Sequence, residues 1–396
     1  MTVDRYDVVV VGARAAGAST ALRLARAGLS VLVVDHGRYG SDTLSTHALM
    51  RGGVRQLDRL CVLDAVKAAG TPPIEQVRFA YADGNVGLPV RPTPGVDALY
   101  APRRTVLDRL LVDAAIAAGV EVRYGVDVVG LEHAPGGRVV GVRARTGRGP
   151  AESLRARLVV GADGRRSTVA RAAGAALRHS GRFGGSGVYG YWSGIPFDGY
   201  EWAYRPGATA GFIPTNDGLL CAFAGSTPER VGRGGWTAFW NLLSAASPSM
   251  AERLAAGTLE SVVRTFPGSP GHLRQAWGPG WALVGDAGSY KDPISSHGLT
   301  DALRDAELLS CAALAALRDG DDERTAFDAY EQARDRNALP LLALSDEIVG
   351  YRWSAATIRP LTRAMSDAMN ALGPSDCGLV NVKAGRIAGS WRQTPA

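Results

Sequence analysis

The sequence predicts an α/β fold, in which a Rossmann-like dinucleotide-binding domain is interleaved with an antiparallel β-sheet domain and followed by a helical C-terminal segment. Three observations predict this arrangement. The first 35 residues read as buried strand, helix and buried strand, which is the pattern of a βαβ unit. Short strands rich in glycine and aromatic residues alternate over residues 179–226. An apolar run over residues 281–284 then resumes the first pattern, so the two domains alternate along the chain.

Each predicted element has a local cause. Continuous apolar runs over residues 6–11 and 29–34 predict strands covered on both faces, and the helix formers between them stop at Gly28. The other predicted elements are a helix over 54–70, a hairpin over 77–90 that turns at Asp83 and Gly84, a helix over 103–119, strands over 120–133, 137–146 and 152–161, and helices over 299–338.

These elements set the predicted domain boundaries. Residues 1–77, 101–178 and 275–340 form the dinucleotide-binding domain. Residues 78–100 and 179–274 form the β-sheet domain, and residues 341–396 form the helical C-terminal segment. The chain of 396 residues is long enough for two such domains, and its 46% of apolar residues can fill a sizeable core.

The charge and the cysteines exclude several classes of protein. Of the 44 basic residues only three are lysines, and the arginines are scattered rather than gathered in runs, so we expect no nucleic-acid partner. No apolar run approaches the ~18 residues that cross a bilayer, and a strand begins too early for a signal peptide. Four widely separated cysteines form no disulfide framework, which favours a reduced, cytoplasmic setting, and the six histidines show no metal-binding spacing.

The turn after the first strand carries the first motif. In a G-x-G-x-x-G fingerprint, glycines let the amides of a helix N-terminus approach a pyrophosphate. Here arginine replaces the middle glycine, and its side chain must crowd the phosphates or turn away. Asp35 ends the second strand, where it can accept hydrogen bonds from a ribose. An ordinary α/β turn is the alternative. The residues of the motif are Gly12, Ala13, Arg14, Ala15, Ala16 and Gly17.

Two later strands also run into turns that contain an acid. In GADGRRS, Asp163 precedes a helix, and either a helix cap or a ligand contact accounts for it. In GDAG, Asp286 follows Gly285 and suits the hydroxyls of a ribityl chain. A loop that begins at Pro293 then leads to a helix whose first amides, at residues 298–300, suit negative charge on a flavin ring.

With these three motifs in this order, residues 5–340 resemble the p-hydroxybenzoate hydroxylase-like FAD-dependent monooxygenases, whose superfamily includes geranylgeranyl reductases and flavin-dependent halogenases. The resemblance implies FAD bound by the α/β domain of the GR2 type, a substrate sheet over the flavin, reduction by NADPH, and O₂ as a second substrate. It also implies that FAD is contacted by Gly12, Arg14, Ala15, Ala16, Gly17, Asp35, Arg51, Arg104, Val128, Asp163, Gly285, Asp286, Pro293, Gly298, Leu299 and Thr300.

The chain departs from the family pattern in the last loop. The family commonly has P-x-G-G-x-G-x-N, whereas residues 293–300 read PISSHGLT. His297 is therefore expected at the flavin edge as a catalytic acid, base or modulator of the ring, with a structural histidine as the alternative. His47, in a loop that the family folds beside the flavin, is a second catalytic candidate, and a histidine bonded to backbone is its alternative. We read Lys291 as a turn residue.

Aromatic residues define the candidate substrate site. Trp202 and Tyr204 share one face of a strand by their period of two, and Tyr191 and Phe212 lie nearby in sequence. Packing within the sheet is the default for such residues. If they line the sheet above the flavin, they predict an apolar cavity for an aromatic or polycyclic substrate.

The function predicted from these features is that of an NADPH-using monooxygenase of specialised metabolism, which oxygenates a small organic molecule through a flavin C4a-hydroperoxide. A reductase or dehydrogenase of a bulky apolar substrate is the alternative, because Tyr191 and Pro196 match part of the reductase motif Y-x-W-x-F-P. A halogenase is disfavoured, because Tyr191 and Ser193 replace the tryptophans of W-x-W-x-I-P. A flavoprotein without turnover is disfavoured by the scattered arginines. The oligomeric state is left open.

Overall fold

A computed structural model describes residues 5–371, so residues 372–396 of the predicted C-terminal segment lie outside the described part of the chain. The strands are β1 (Arg5–Val11), β2 (Val31–Asp35), β3 (Gln76–Tyr81), β4 (Gly84–Pro89), β5 (Glu121–Tyr124), β6 (Val126–His133), β7 (Val139–Thr146), β8 (Glu152–Gly161), β9 (Leu177–Ser180), β10 (Ser186–Ser193), β11 (Tyr200–Arg205), β12 (Ala208–Pro214), β13 (Leu220–Ser226), β14 (Thr258–Leu259), β15 (Arg264–Phe266), β16 (His272–Arg274), β17 (Trp277–Gly278), β18 (Trp281–Leu283) and β19 (Ser289–Tyr290).

The α-helices alternate with these strands. They are α1 (Ala15–Arg26), α2 (Arg51–Arg59), α3 (Leu63–Ala68), α4 (Arg104–Ala117), α5 (Thr168–Ala172), α6 (Pro228–Val231), α7 (Gly235–Ala246), α8 (Pro248–Ala255), α9 (Gly298–Leu314), α10 (Glu323–Val349) and α11 (Ala355–Asn370).

The first sheet brings the three sequence motifs together. Its parallel strands lie in the order β18-β8-β1-β2-β5, and Val10 of β1 is paired with Val33 and Val160. Helices α1, α4 and α9 pack on one face of these valine-rich strands, and the β6–β7 hairpin packs on the other. Because the strands are parallel, the turns that follow β1, β2, β8 and β18 meet at one edge of the sheet.

The second sheet has the order β14-β10-β13-β12-β11-β3-β4, with β15 paired to β10. The hairpin of β3 and β4 joins it through a parallel pairing of β3 with β11, so the two domains are interleaved as the sequence predicted. Tyr200, Trp202 and Tyr204 occupy one face with Tyr81. Phe212 lies on the other face, against α7 and α8.

Two helices differ from the prediction. The helix predicted over 54–70 is two helices, because Cys61 adopts a left-handed conformation (φ 55°) that ends α2. Helix α10 continues through Pro340, so the domain boundary chosen at 340 falls inside one helix. A proline removes a single backbone donor, and the packing of α10 against α9 and α11 retains the helix around it.

The helices and the cysteines of the described residues can be compared with the classes of protein considered from the sequence. Within residues 5–371, no helix combines the length and the apolar character that a membrane crossing requires. Among the described cysteines, Cys61 and Cys221 carry free thiols.

Candidate active site

Two adjoining cavities lie between the sheets. Cavity I, about 740 Å³, runs along the edge of the first sheet where the three motifs meet. Cavity II, about 490 Å³, lies between the aromatic face of the second sheet and helices α2, α9 and α11. Ile294 and Ser296 line both cavities. The loop of residues 293–297 is therefore the wall that the two cavities share.

The glycines of the first motif are required by close backbone packing. Gly12 has a φ of 108°, and a side chain there would collide with the carbonyl oxygen of Ala162. A side chain on Gly17 would collide with the carbonyl oxygen of Gly12. Arg14, in place of the middle glycine, has an extended backbone (φ −89°, ψ −172°) that any residue adopts. The departure from the fingerprint therefore leaves the turn intact.

The Arg14 side chain turns away from the helix N-terminus and binds a carboxylate. Its Nη1 donates to Oδ2 of Asp108 at 2.9 Å, and Nη2 of Arg104 donates to the same carboxylate at 2.9 Å. Both arginines line cavity I. Two guanidinium groups share one carboxylate, which leaves net positive charge beside the first turn of α1.

Backbone amides and a second carboxylate complete this end of cavity I. Ala15 and Ala16 line the cavity, and the N-terminus of α1 has no side-chain cap, so its first amides are available to an anion. Asp35 accepts from the backbone N–H groups of Ala13 (2.7 Å) and Gly37 (2.6 Å), which hold it at the cavity wall. Val128 lines the same region.

The second motif serves both as a helix cap and as a cavity wall. Asp163 accepts from the hydroxyl of Ser167 (2.5 Å) and from the N–H of Thr168 (2.6 Å), and Ser167 caps α5. The same aspartate lines cavity I. The structure therefore bears out the helix-cap alternative and keeps Asp163 at the candidate site.

The third motif places a carboxyl group in the floor of cavity I. Gly285 has a φ of 60° and packs against Ala16, while Asp286 lines the cavity. The cavity walls screen Asp286 from bulk water, and this burial raises its pKa to about 6 although Lys291, Arg165 and Arg104 oppose the increase.

The following loop presents a second uncapped helix N-terminus to cavity I. Asp292 holds the loop by accepting from the N–H groups of Gly185 (2.8 Å) and Ile294 (2.9 Å), and burial raises its pKa to about 7. Pro293, Gly298 and Leu299 line cavity I, and α9 begins without a side-chain cap. The first amides of α9 can therefore stabilise negative charge in this cavity.

His297 lies on the other side of this loop, in the wall of cavity II, and belongs to a buried ionic cluster. Its Nδ1 is 2.8 Å from Oδ1 of Asp301, and Asp301 also pairs with Nζ of Lys291 (2.7 Å) and Nη1 of Arg304 (2.8 Å). Burial alone would raise the pKa of Asp301, but Arg304, Lys291 and His297 outweigh it and hold that pKa well below its ordinary value.

The charged state of Asp301 fixes the orientation of the imidazole. A carboxylate only accepts, so Nδ1 of His297 donates to it, and Nε2 is the nitrogen left to meet a molecule in cavity II. Lys291, which the sequence suggested was a turn residue, is 4% exposed and part of this cluster. The spacing of His297 and Asp301 by four residues on a helix was the signal that could have revealed the pair.

His47 is held differently. It is fully buried in the wall of cavity I with a left-handed backbone (φ 50°), and its Nδ1 donates to the carbonyl of Ala101 at 3.1 Å. Its Nε2 therefore accepts from the hydroxyl of Tyr191 at 3.1 Å. Burial lowers the pKa of His47 to about 3, with Arg103 adding to the effect. The geometry fits the alternative of a neutral, backbone-bonded histidine rather than a catalytic one.

Two residues that the sequence predicted to contact FAD lie outside cavity I. Arg51 lines cavity II instead of cavity I, because α2 directs it toward the carbonyl of Arg91 (2.7 Å). Thr300 also lines cavity II, and its hydroxyl accepts from the N–H of Met50 at 3.1 Å. Neither residue is therefore placed to contact a ligand in cavity I.

The four aromatic candidates for the substrate site form two groups, according to whether they line cavity II. Trp202 and Tyr204 line cavity II. Tyr191 lines neither cavity I nor cavity II; it packs behind His47, with the guanidinium of Arg103 at 4.2 Å from its ring centroid. Phe212 points to the opposite face of the sheet, because its position in β12 is paired with Glu201, which lies on the face of β11 opposite to Trp202 and Tyr204. These two residues therefore line neither cavity, and their contact with a substrate stays a prediction from the sequence.

Comparison with known proteins decides the family. A family model described as an FAD binding domain matches residues 5–344. The chain belongs to this family. It is 28% identical to digeranylgeranylglycerophospholipid reductase 1 of Methanococcoides burtonii, over 83% of this chain and 79% of the reductase. It is 27% identical to the ubiquinone hydroxylase UbiL of Rhodospirillum rubrum, over 93% and 87% of the two chains. The flavin-dependent brominase Bmp2 has a similar structure, with a TM-score of 0.76 at 18% identity over 93% and 100% of the chains.

The walls of cavity I fit FAD. Two uncapped helix N-termini open into it, at α1 and α9, and each suits an anionic part of the cofactor. The carboxyl groups of Asp35 and Asp286 are placed to accept from its hydroxyls, and a side chain added at Gly298 would project into open space. The chain is an FAD-dependent oxidoreductase of the superfamily that contains monooxygenases, geranylgeranyl reductases and flavin-dependent halogenases.

Replacing Asp286 with alanine is expected to weaken FAD retention at least about tenfold, because a charge-assisted hydrogen bond contributes about 1.5–3 kcal/mol. The ratio of flavin to protein after desalting measures the effect. In the wild type, FAD affinity should also fall as the pH decreases through about 6, because protonation removes the carboxylate acceptor. Asp367→Ala, an exposed change on α11, is the control. Equal flavin content in both variants would remove Asp286 from the FAD site.

Proposed function

We propose that this oxidoreductase is a monooxygenase that uses NADPH and O₂ to oxygenate a small, largely apolar organic molecule bound in cavity II. The position of His297 carries the proposal. Its loop separates cavity I, which suits FAD, from cavity II, which is lined by Trp202 and Tyr204. A group that can move a proton therefore lies at the junction of the cofactor cavity and an apolar cavity.

Bound FAD supplies two-electron redox chemistry and reactivity toward O₂. The residues of the chain have separate roles around it. The amides at the start of α9 stabilise negative charge, and Asp301 holds the His297 ring so that Nε2 can donate a proton to, or accept one from, the molecule in cavity II. Trp202 and Tyr204 exclude water from that molecule.

The NADPH part of the proposal is supported by Arg165. This arginine lines cavity I in the GADGRRS stretch, with its guanidinium 4.8 Å from the ring centroid of Phe266 and 5.2 Å from that of Tyr290. Two aromatic faces hold the guanidinium in place, where it suits a phosphate of a second nucleotide. A cytoplasmic location and a role in specialised metabolism belong to the same proposal and rest on the sequence alone.

A reductase of a bulky apolar substrate is the second candidate function. The similarity to the digeranylgeranylglycerophospholipid reductase favours it, as does the size of cavity II. We place the monooxygenase first because the similarity to the ubiquinone hydroxylase extends over 93% of this chain, against 90% for the digeranylgeranylglycerophospholipid reductase 1 of Methanopyrus kandleri.

The experiment that separates the two functions follows NADPH consumption by the FAD-loaded enzyme at matched oxygen concentrations. For the proposed monooxygenase, NADPH oxidation should be accompanied by stoichiometric O₂ uptake and should stop after one reduction of the flavin in anaerobic buffer. Sustained anaerobic turnover with an added apolar alkene would contradict oxygenation and support the reductase. Failure of NADPH to reduce the flavin at all would contradict direct use of this nucleotide.

A further inference from the structure

Cavity II has an apolar wall and a basic wall. The apolar wall is formed by the sheet and by the helices that close it, with Phe79, Trp202, Tyr204, Ile348 and Met365 among its side chains. The facing wall carries guanidinium groups. A cavity that only held a hydrocarbon would gain nothing from these charges, because unpaired charges close to an apolar surface are costly to desolvate.

The basic wall comes mainly from one helix. Arg51, Arg55 and Arg59 are spaced by four residues along α2, so they lie on one face of it, and Arg91 and Arg304 join them in the cavity lining. Like charges at this spacing repel one another and destabilise a helix. No aspartate or glutamate is among the described residues that line the cavity.

Carboxylates behind the wall neutralise only part of this charge. Arg59 pairs with Glu307 at 2.8 Å, and Arg304 pairs with Asp301 and Asp305. Within residues 5–371, no carboxylate lies within 4.0 Å of the guanidinium of Arg51, Arg55 or Arg91. Arg51 has a backbone carbonyl as its acceptor, which leaves its charge in place. Within the described part of the chain, three positive charges therefore face cavity II without an anionic partner.

We propose that cavity II binds an amphiphilic anion: a molecule with an aromatic or aliphatic body and a carboxylate or phosphate head. The body packs against Trp202 and Tyr204, and the head is bound by Arg55 and Arg91. Guanidinium groups suit both heads because they donate two parallel hydrogen bonds to a pair of oxygens. The proposal rests on the proposed function in that it takes cavity II as the substrate site, and it adds the charge class of the substrate.

Equilibrium binding to the FAD-loaded protein without NADPH tests the proposal independently of turnover. Isothermal titration calorimetry is done with four probes that share a naphthalene body and differ in the head group. The probes are 2-naphthoate, 2-naphthyl phosphate, 2-naphthol and 2-naphthylmethylamine. At least one anion should bind about tenfold or more tightly than the neutral phenol, and the amine should bind most weakly. The preferred anion distinguishes a carboxylate from a phosphate substrate. Equal affinity for 2-naphthol and both anions, or no anion binding below about 1 mM, would overturn the proposal.

Variants of the two walls of cavity II test where the anionic head and the apolar body bind. Arg55→Gln and Arg91→Gln should each weaken binding of the preferred anion about fivefold and leave 2-naphthol unchanged, whereas Trp202→Ala should weaken all probes. Arg205→Gln is the matched control, because Arg205 is exposed at the end of the same strand as Tyr204 and lines neither cavity. Anion affinity unaffected by the Arg55 and Arg91 changes would overturn the proposal. Selective anion binding by a protein that consumes no O₂ with NADPH would retain this inference and remove the monooxygenase function.

Discussion

Replacing Asp301 with asparagine is expected to destabilise the protein by about 3–5 kcal/mol, because it leaves buried positive charge without its partner. Asp301 is 2% exposed and pairs with Lys291, Arg304 and His297. Asparagine preserves the shape of the side chain, so the loss reports on charge rather than on packing. The measurement is the free energy of unfolding from urea denaturation. The m value, which is the slope of this free energy against urea concentration, should be the same in the two proteins.

The pH dependence of this effect has a definite sign. Because the folded-state pKa of Asp301 is held below its ordinary value of 3.8, its contribution to stability is fully present above that value. The contribution is lost as the pH falls through the lower folded-state pKa, so the difference between wild type and Asp301→Asn should shrink in acid. Asp83→Asn is the control, because Asp83 pairs with Arg359 at 3.0 Å in an exposed position. Equal destabilisation by both changes would show that the cluster is not a buried ionic network.

The FAD-binding half of the fold was predictable from sequence because its causes are local. Each of its sequence features has one physical explanation. These features are the run of valines in β1, the glycines of the first turn, and the acids that end β2 and precede α9. Parallel pairing then places all three turns at one edge without further information. Asp35 and Asp286 follow from strand ends alone.

The substrate side could not be predicted in the same way, because it depends on long-range pairing. The direction of Phe212 is set by the register of β12 with β11, and the place of Arg51 is set by the packing of α2 on α9. Sequence alternation identifies two faces of a strand but does not say which one is covered by helices. The basic wall of cavity II has the same origin, since α2, Arg91 in the segment after β4, and α9 contribute to it from distant parts of the chain.

Replacing His297 with alanine is expected to lower kcat by about 10²–10⁴-fold, the range for loss of a positioned acid or base. Retention of FAD should change much less, because His297 lines cavity II while its neighbours line cavity I. The measurements are steady-state kinetics with NADPH and O₂ uptake, and flavin content after desalting. Added imidazole should restore part of the activity of this variant, since the space that it leaves opens into cavity II.

His179→Ala is the matched control for this prediction, because His179 is exposed on β9 and contributes to neither cavity. A structural role for His297 would lower stability and flavin content together and would not respond to imidazole. Catalytic loss with intact flavin content, reversed in part by imidazole, requires the ring itself at the junction of the two cavities. Wild-type kcat in His297→Ala would remove the proton-transfer role and leave Asp301 as a group that only stabilises the loop.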